Sequence, residues 1–363
     1  MVHRHHHLIH GATGGRVDGT GQGRSGTCHK THQGVVCGRR QLSGRRPWEA
    51  VPGQDRPVAI TTRFTGMFHC RYPLQQAGMG GFATPDLAVA VAVAGALGML
   101  SGAMGAEALS AQLDAVPALL PVGVNFLVPF LDRRALEDAA TRSPLVEFFW
   151  GEPDPAMVAT VHEGGARAGW QVGCADEARA ARDAGCDLIV AQGIEAGGHV
   201  RGTLGLLPLL DEVRAAVALP LVAAGGIGTG RAMAAALAAG ADAVRVGTRF
   251  VAASESTAHP VYVDALIRSG ADDTVLTTAF GEGWPDAPHR VLRSALIAGE
   301  ALGAAQSWSP EWPSRASSGV IEAHALYAGQ SVGAVRSRQP AAEIIGELVT
   351  EAEQVLRSPG SEG

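Results

Sequence analysis

The chain has 363 residues, 46% of them hydrophobic and 18% charged, with a formal net charge of −6, which is ample apolar material for a substantial core. Residues 1–57 hold nine Lys or Arg against three acids, so the rest of the chain is acidic, which argues against nucleic acid as its main partner. The longest apolar run, Leu87 to Leu100, has 14 residues with two internal glycines, short of the roughly 20 that a membrane helix requires, and no membrane partner is expected.

The first residues, HRHHHLIH followed by Gly- and Arg-rich polar sequence, lack the charged and apolar regions of a secretory signal. Histidines without apolar periodicity around them build no rigid metal site, so residues 1–60 are expected to form a disordered extension. Five cysteines without a C-x-x-C pair read as reduced thiols in a reducing, cytoplasmic setting. Cys174 and Cys186 flank a helix pattern and are expected to be packing residues.

From Tyr72 onward short β-type runs recur, with starts near 73, 97, 122, 145, 168, 187, 220 and 242. Between them lie Ala-rich amphipathic stretches such as PDLAVAVAVAG, DEARAARDAG and GRAMAAALAAG, several with acids or Pro at the start and Gly at the end, as helix termini prefer. Such alternation predicts a parallel sheet covered by helices. Eight units over about 180 residues favour an α/β fold closed as a (β/α)8 barrel, here 61–254. The sixth interval is the longest, with its excess in EAGGHVRGTLG, and extra length at the carboxyl end of a barrel strand is where chemistry is normally found. Residues 255–330 are expected to form a small helical cap, and 331–363 a C-terminal helix returning to the barrel.

Two strand ends stop at glycines: VAAGGIGTG at 222–230 and VRVGTRF at 244–250. If these are the last two barrel strands, their loops form the usual phosphate cradle of the fold, and the helix expected from Arg231 would turn its positive end toward the phosphate. Gly225, Gly226 and Gly247 would supply backbone, and Thr248 a hydroxyl donor. Arg245 and Arg249 are either solvated or paired with acids of the cap, and neither is assigned to phosphate. Asn125 and Gln192 are polar amides in apolar strands, so each needs a partner, whether a flat heterocycle or neighbouring backbone. His199 follows a strand end and a glycine pair, the position for proton transfer or substrate contact rather than loop capping. His69, His162, His259, His289 and His324 read as structural or solvated. There is no G-x-S-x-G, no H-E-x-x-H, no carboxylate cluster at the mouth and no G-x-G-x-x-G after a first strand, so neither covalent catalysis, a metal, nor a tightly held nicotinamide is expected.

QQAGMGG at 75–81, GVNFLVPF, AQGIEAGGH, PLVAAGGIGTG and DAVRVGTRF together resemble the nitronate monooxygenase family of FMN-dependent barrels, over roughly residues 61–357. The resemblance implies that Gly225, Gly226, Gly247 and Thr248 hold the FMN phosphate, and that Gly78, Met79, Asn125, Gln192, Gly197 and Gly198 line its ring and ribityl chain. His199 matches the family's histidine beside the flavin. Phe126, Met79 and Trp284 would shape a tight apolar cavity for a small-molecule substrate, closed by Ser331. The chain departs from the pattern at Gly78, where members often have Pro, and at Arg245, where they often have Gln. The implied reaction is oxidation of alkyl nitronates with dioxygen to carbonyl compounds and nitrite. The alternative is an NAD(P)H-dependent flavin oxidoreductase acting on a quinone or an enoyl thioester. A non-catalytic flavin-binding protein is a third reading.

Overall fold

The computed structural model describes residues 60–303 and 312–357, so the N-terminal histidines, Cys28 and Cys37 lie outside the described residues. Eight strands run parallel: β1 Leu74–Gln76, β2 Gly98–Ser101, β3 Val122–Leu127, β4 Leu145–Phe149, β5 Arg167–Val172, β6 Leu188–Gln192, β7 Leu221–Ala224 and β8 Ala243–Val246. Each pairs with its sequence neighbour and β8 pairs with β1. The Gln75↔Leu97 bridge joins β1 to β2, with Leu97 N donating to Leu74 O and Gln76 N to Leu97 O, both 2.9 Å. The result is a closed (β/α)8 barrel.

Both faces of every strand are covered, which is why the runs read as almost continuously apolar. Period-2 alternation divides them. Leu97, Met99, Leu145, Leu188, Val190, Val222 and Ala243 fill the lumen, and Phe64 and Phe68 of the helix Arg63–Phe68 pack with them as a plug. Val122, Val124, Phe126, Val146, Phe148 and Trp170 belong to the layer between strands and helices. Phe126 therefore does not shape the cavity as expected. It stands one residue from Asn125, so the pleat sends it to the opposite face, where it stacks on Phe148 with centroids 6.4 Å apart.

The cap carries its own core around Tyr262, Phe280, Val291 and Leu292. Besides the helices Pro260–Arg268 and Arg293–Ala301 it contains a three-stranded antiparallel sheet, Thr274–Thr277, His289–Leu292 and Gly198–His199. The last strand comes from the long loop after β6, which thus leaves the barrel to join the cap. The helix Ala341–Leu356 returns to pack on the helix Gly230–Ala238. A Cβ at Gly230 would lie 2.5 Å from Leu348 O and Ala352 N, so the two backbones approach at a distance only glycine allows.

Candidate active site

At the carboxyl ends of the strands lies a cavity of about 540 Å³. The expected cofactor-binding residues and His199 line it: Gly78 and Met79 after β1, Asn125 on β3, Gln192 ending β6, Gly197, Gly198 and His199 in the following loop, Gly225 and Gly226 after β7, and Gly247 and Thr248 after β8. Met79, Trp284 and Ser331 line it too.

The turn after β7 is built on two consecutive left-handed glycines, Gly225 at φ 108° and Gly226 at φ 69°, a conformation that costs any other L-residue about 1 kcal/mol or more. A Cβ on Gly225 would also press within 3.0 Å of Gly193 O. Backbone is therefore what this turn presents to a ligand. Thr248 Oγ1 accepts from Gly329 N at 3.0 Å, a bond that leaves the hydroxyl proton to be donated. The helix start contributes less than expected. The helix begins at Gly230, and Gly230 N donates to Glu351 Oε2 of the C-terminal helix at 2.6 Å, with Arg231 paired to the same carboxylate. An internal carboxylate thus complements the helix's positive end, and the anion site reduces to the glycine turn and Thr248.

Gln192 is 6% exposed. Its Nε2 donates to His199 O at 3.0 Å, while Oε1 of this cavity-lining residue has no protein partner. A buried acceptor without a partner costs about 1 to 3 kcal/mol, so the position calls for a donor from the ligand. Asn125 is held beneath Gly78, where a Cβ would sit 2.5 Å from Asn125 Cβ. That contact gives a physical reason for glycine at 78.

His199 is enclosed by aromatic rings. Its centroid is 4.4 Å from Trp284, 5.3 Å from His289, 5.8 Å from Trp150 and 5.9 Å from Tyr327. Trp150 turns into this group from a left-handed backbone, φ 66°, a strained state of the kind found at functional sites. Burial, with a smaller contribution from His289, brings the His199 pKa down to about 3. The imidazole is therefore neutral near pH 7, offering one N–H and one lone pair.

His289, read in the sequence as structural or solvated, is fully buried on a cap strand. Its Nδ1 lies 2.9 Å from Ala287 O, and because a carbonyl only accepts, Nδ1 carries the proton; Nε2 has no protein partner. Burial lowers its pKa as well. Arg249 is neither solvated nor paired to the cap: it donates to Gly228 O, Gln339 Oε1 and Glu347 Oε2, tying the glycine turn to the C-terminal helix. Arg245 points into the lumen, where Glu147, Gln75 and Gln171 receive it, because two residues along β8 from the lumen-facing Ala243 the pleat returns to the inner face. Tyr327, Trp150 and Gln171 belong to the site or its wall and went unnoticed in sequence. Gln171, an amide within the apolar strand AGWQVG, carries the same signal that identified Asn125. Cys174 is partly exposed, and Cys186 is buried, with burial pushing its thiol pKa up to about 12, which suits a packing role. Among the described residues no group of three His, Cys, Asp or Glu is placed to hold a metal, and no helix is long and apolar enough to cross a membrane.

A closed parallel barrel with a glycine-walled cavity at its carboxyl mouth and a titratable side chain over it is an enzyme barrel. The sequence model of the nitronate monooxygenase family matches residues 61–135 and 120–351, and the chain belongs to that family, a family of flavin-type oxidoreductases. A Mycobacterium tuberculosis (3aS,4S,5R,7aS)-5-hydroxy-7a-methyl-1-oxo-octahydro-1H-indene-4-carboxyl-CoA dehydrogenase is 36% identical over 247 residues, covering 66% of this chain and 68% of that protein. A probable nitronate monooxygenase of Staphylococcus saprophyticus is 30% identical over 274 residues, 61% of this chain and 76% of the relative. Among solved structures, FabK from Thermotoga maritima superposes with a TM-score of 0.73 at 31% identity, covering 82% of this chain and 97% of that one. Nitroalkane oxidase from Streptomyces ansochromogenes gives 0.67 at 30% identity, covering 81% and 99%.

Proposed function

We propose that the cavity binds FMN and that the protein oxidises small alkyl nitronates with dioxygen, giving a carbonyl compound and nitrite. The observation that carries the reading is the convergence on one cavity of the paired left-handed glycine turn, the unpartnered buried Gln192 Oε1 and a neutral, aromatic-walled His199. The donor set fits the cofactor. Gly225, Gly226, Gly247 and Thr248 would hold the phosphate, Gln192 Oε1 would accept an N–H of the ring, and Gly78, Met79, Asn125, Gly197 and Gly198 would line the rest. FMN, when bound, supplies the electron acceptor for the substrate and the route to dioxygen.

His199 decides which form of the substrate is used. With a pKa near 3 it is a poor base toward a carbon acid near neutral pH, so it orients a nitronate oxygen by hydrogen bond and leaves deprotonation of the nitroalkane to solvent. Trp284, backed by Trp150, gives the substrate an apolar wall that suits a compact alkyl group. The similarity to a carboxyl-CoA dehydrogenase supports a second reading, an NAD(P)H-dependent flavin oxidoreductase acting on a thioester or quinone.

One anaerobic mixing experiment separates them. The purified protein should show oxidised-flavin absorption, release FMN on denaturation, and bleach rapidly with propyl-2-nitronate, at least about 100-fold faster than with 2-nitropropane. Rapid bleaching by NADH or NADPH with no response to the nitronate would replace the first reading by the second. A colourless protein that takes up no FMN would overturn both.

A further inference from the structure

Beneath the cavity the lumen changes character. Lower interior positions are apolar, but Gln75 on β1, Glu147 on β4, Gln171 on β5 and Arg245 on β8 form a polar layer. Arg245 is 6% exposed and Glu147 fully buried. Arg245 Nε donates to Gln75 Oε1 at 3.0 Å, Nη1 to Gln171 Oε1 at 2.6 Å, and Nη2 to Glu147 Oε2. Glu147 Oε1 also accepts from Gln75 Nε2 at 2.8 Å.

The pair has a direction. Arg245 and Gln171 line the cavity, whereas Glu147 and Gln75 do not, so the cationic end faces the ligand and the anionic end faces the lumen. Burying two charges in a barrel core is costly, and apolar side chains would fill the same space at least as stably. The guanidinium is also well held, with one donor on each nitrogen engaged and a second N–H remaining on Nη1 and on Nη2.

Resting on the FMN reading above, we infer that Arg245 is a redox-tuning residue: a fixed cation at the cavity floor that favours the reduced, anionic flavin over the oxidised one. Two-electron reduction places negative charge on the pyrimidine part of the ring, and a preorganised cation stabilises that charge without reorganising. Glu147, Gln75 and Gln171 position it. A flavin so poised draws electrons readily from an electron-rich donor such as a nitronate.

Sulfite is the probe. It forms a bond from sulfur to flavin N5, and its electron pair ends as negative charge on the pyrimidine ring, so its affinity reports the same stabilisation. The FMN-loaded wild type should bind sulfite and show a midpoint potential above that of free FMN. Arg245→Gln, and the charge-neutral double variant Arg245→Gln/Glu147→Gln, should keep the flavin spectrum but bind sulfite at least tenfold more weakly. Their midpoints should fall by about 30 mV or more, the equivalent of that tenfold for a two-electron couple. Arg245→Lys should stay within about threefold of wild type in sulfite affinity. FMN-loaded variants with sulfite affinity and potential unchanged would overturn the inference alone, as would a wild-type midpoint at or below that of free FMN, a result that needs no variant to fold. Wild-type protein that takes up no FMN would overturn the cofactor reading and this inference with it.

Discussion

His199, Gln192 and Gly226 each answer a separate physical demand, and each is testable by itself. His199→Asn keeps a hydrogen-bonding group but loses the imidazole's geometry, and should lower kcat/KM for the nitronate by about tenfold, the worth of one orienting hydrogen bond. Because burial and His289 hold the His199 pKa down to about 3, the wild-type kcat/KM for a preformed nitronate should show no break from this residue between pH 5 and 8. A break near 6.5 that vanishes in His199→Asn would contradict the neutral assignment. Gly226→Ala should weaken FMN binding, read by equilibrium dialysis of the apoprotein, since φ 69° opposes any Cβ. Gln192→Leu should weaken it by about tenfold or more, because Oε1 is the buried acceptor left for the ligand.

The loop from Gly193 to Gly205, which bears His199, is held at several points. Glu195 accepts from Leu206 N at 2.9 Å, Gln330 N donates to Glu195 O at 2.9 Å, and Arg290 places Nε and Nη2 on Ile194 O at 3.1 and 2.9 Å. The strand Gly198–His199 then pairs with His289 and Arg290 of the cap. Arg290→Met removes both bonds to Ile194 while keeping the stem's bulk. It should raise KM and lower kcat together, with faster amide exchange confined to residues 194–200 while the barrel strands keep their protection. At the other end of the barrel, Phe64 is fully buried in the plug. Phe64→Ala should cost about 3 to 5 kcal/mol in urea unfolding and leave FMN affinity in the folded protein unchanged.

His199 and His289 make the stability of the whole protein depend on acidity. An unfolded histidine binds its proton near pH 6.5, whereas folded His199 does so only near 3, and His289 is shifted in the same direction. Between those limits the unfolded chain holds more protons, so stability falls as pH drops from about 6.5 toward 3 and is level above. At pH 5 the His199 share is of order 1 to 2 kcal/mol. Urea midpoints measured at pH 7.5 and 5.0 should therefore separate clearly for the wild type and draw together in His199→Asn. An unchanged separation would remove His199 as the origin.

What could be read along the chain was what local periodicity encodes. Eight apolar runs at regular spacing, glycines at two strand ends, and the amides Asn125 and Gln192 inside apolar strands all follow from the pleat and from the demands of φ, which neighbouring residues set. The barrel and the two glycine turns are legible for that reason, whereas Gly78, Met79, Gly197 and Gly198 are reached only through the family resemblance. The tertiary structure alone decided how residues far apart in sequence share charge and space. Glu351 takes the amide of Gly230 from 121 positions away, Arg245 reaches Glu147 across the barrel, and Phe126 faces away from the cavity that its neighbour Asn125 lines. His289 is buried because a cap strand pairs with His199, and that closeness helps keep His199 neutral. Protonation state and charge pairing depend on desolvation and on distance in space, and neither is a property of the chain until it has folded.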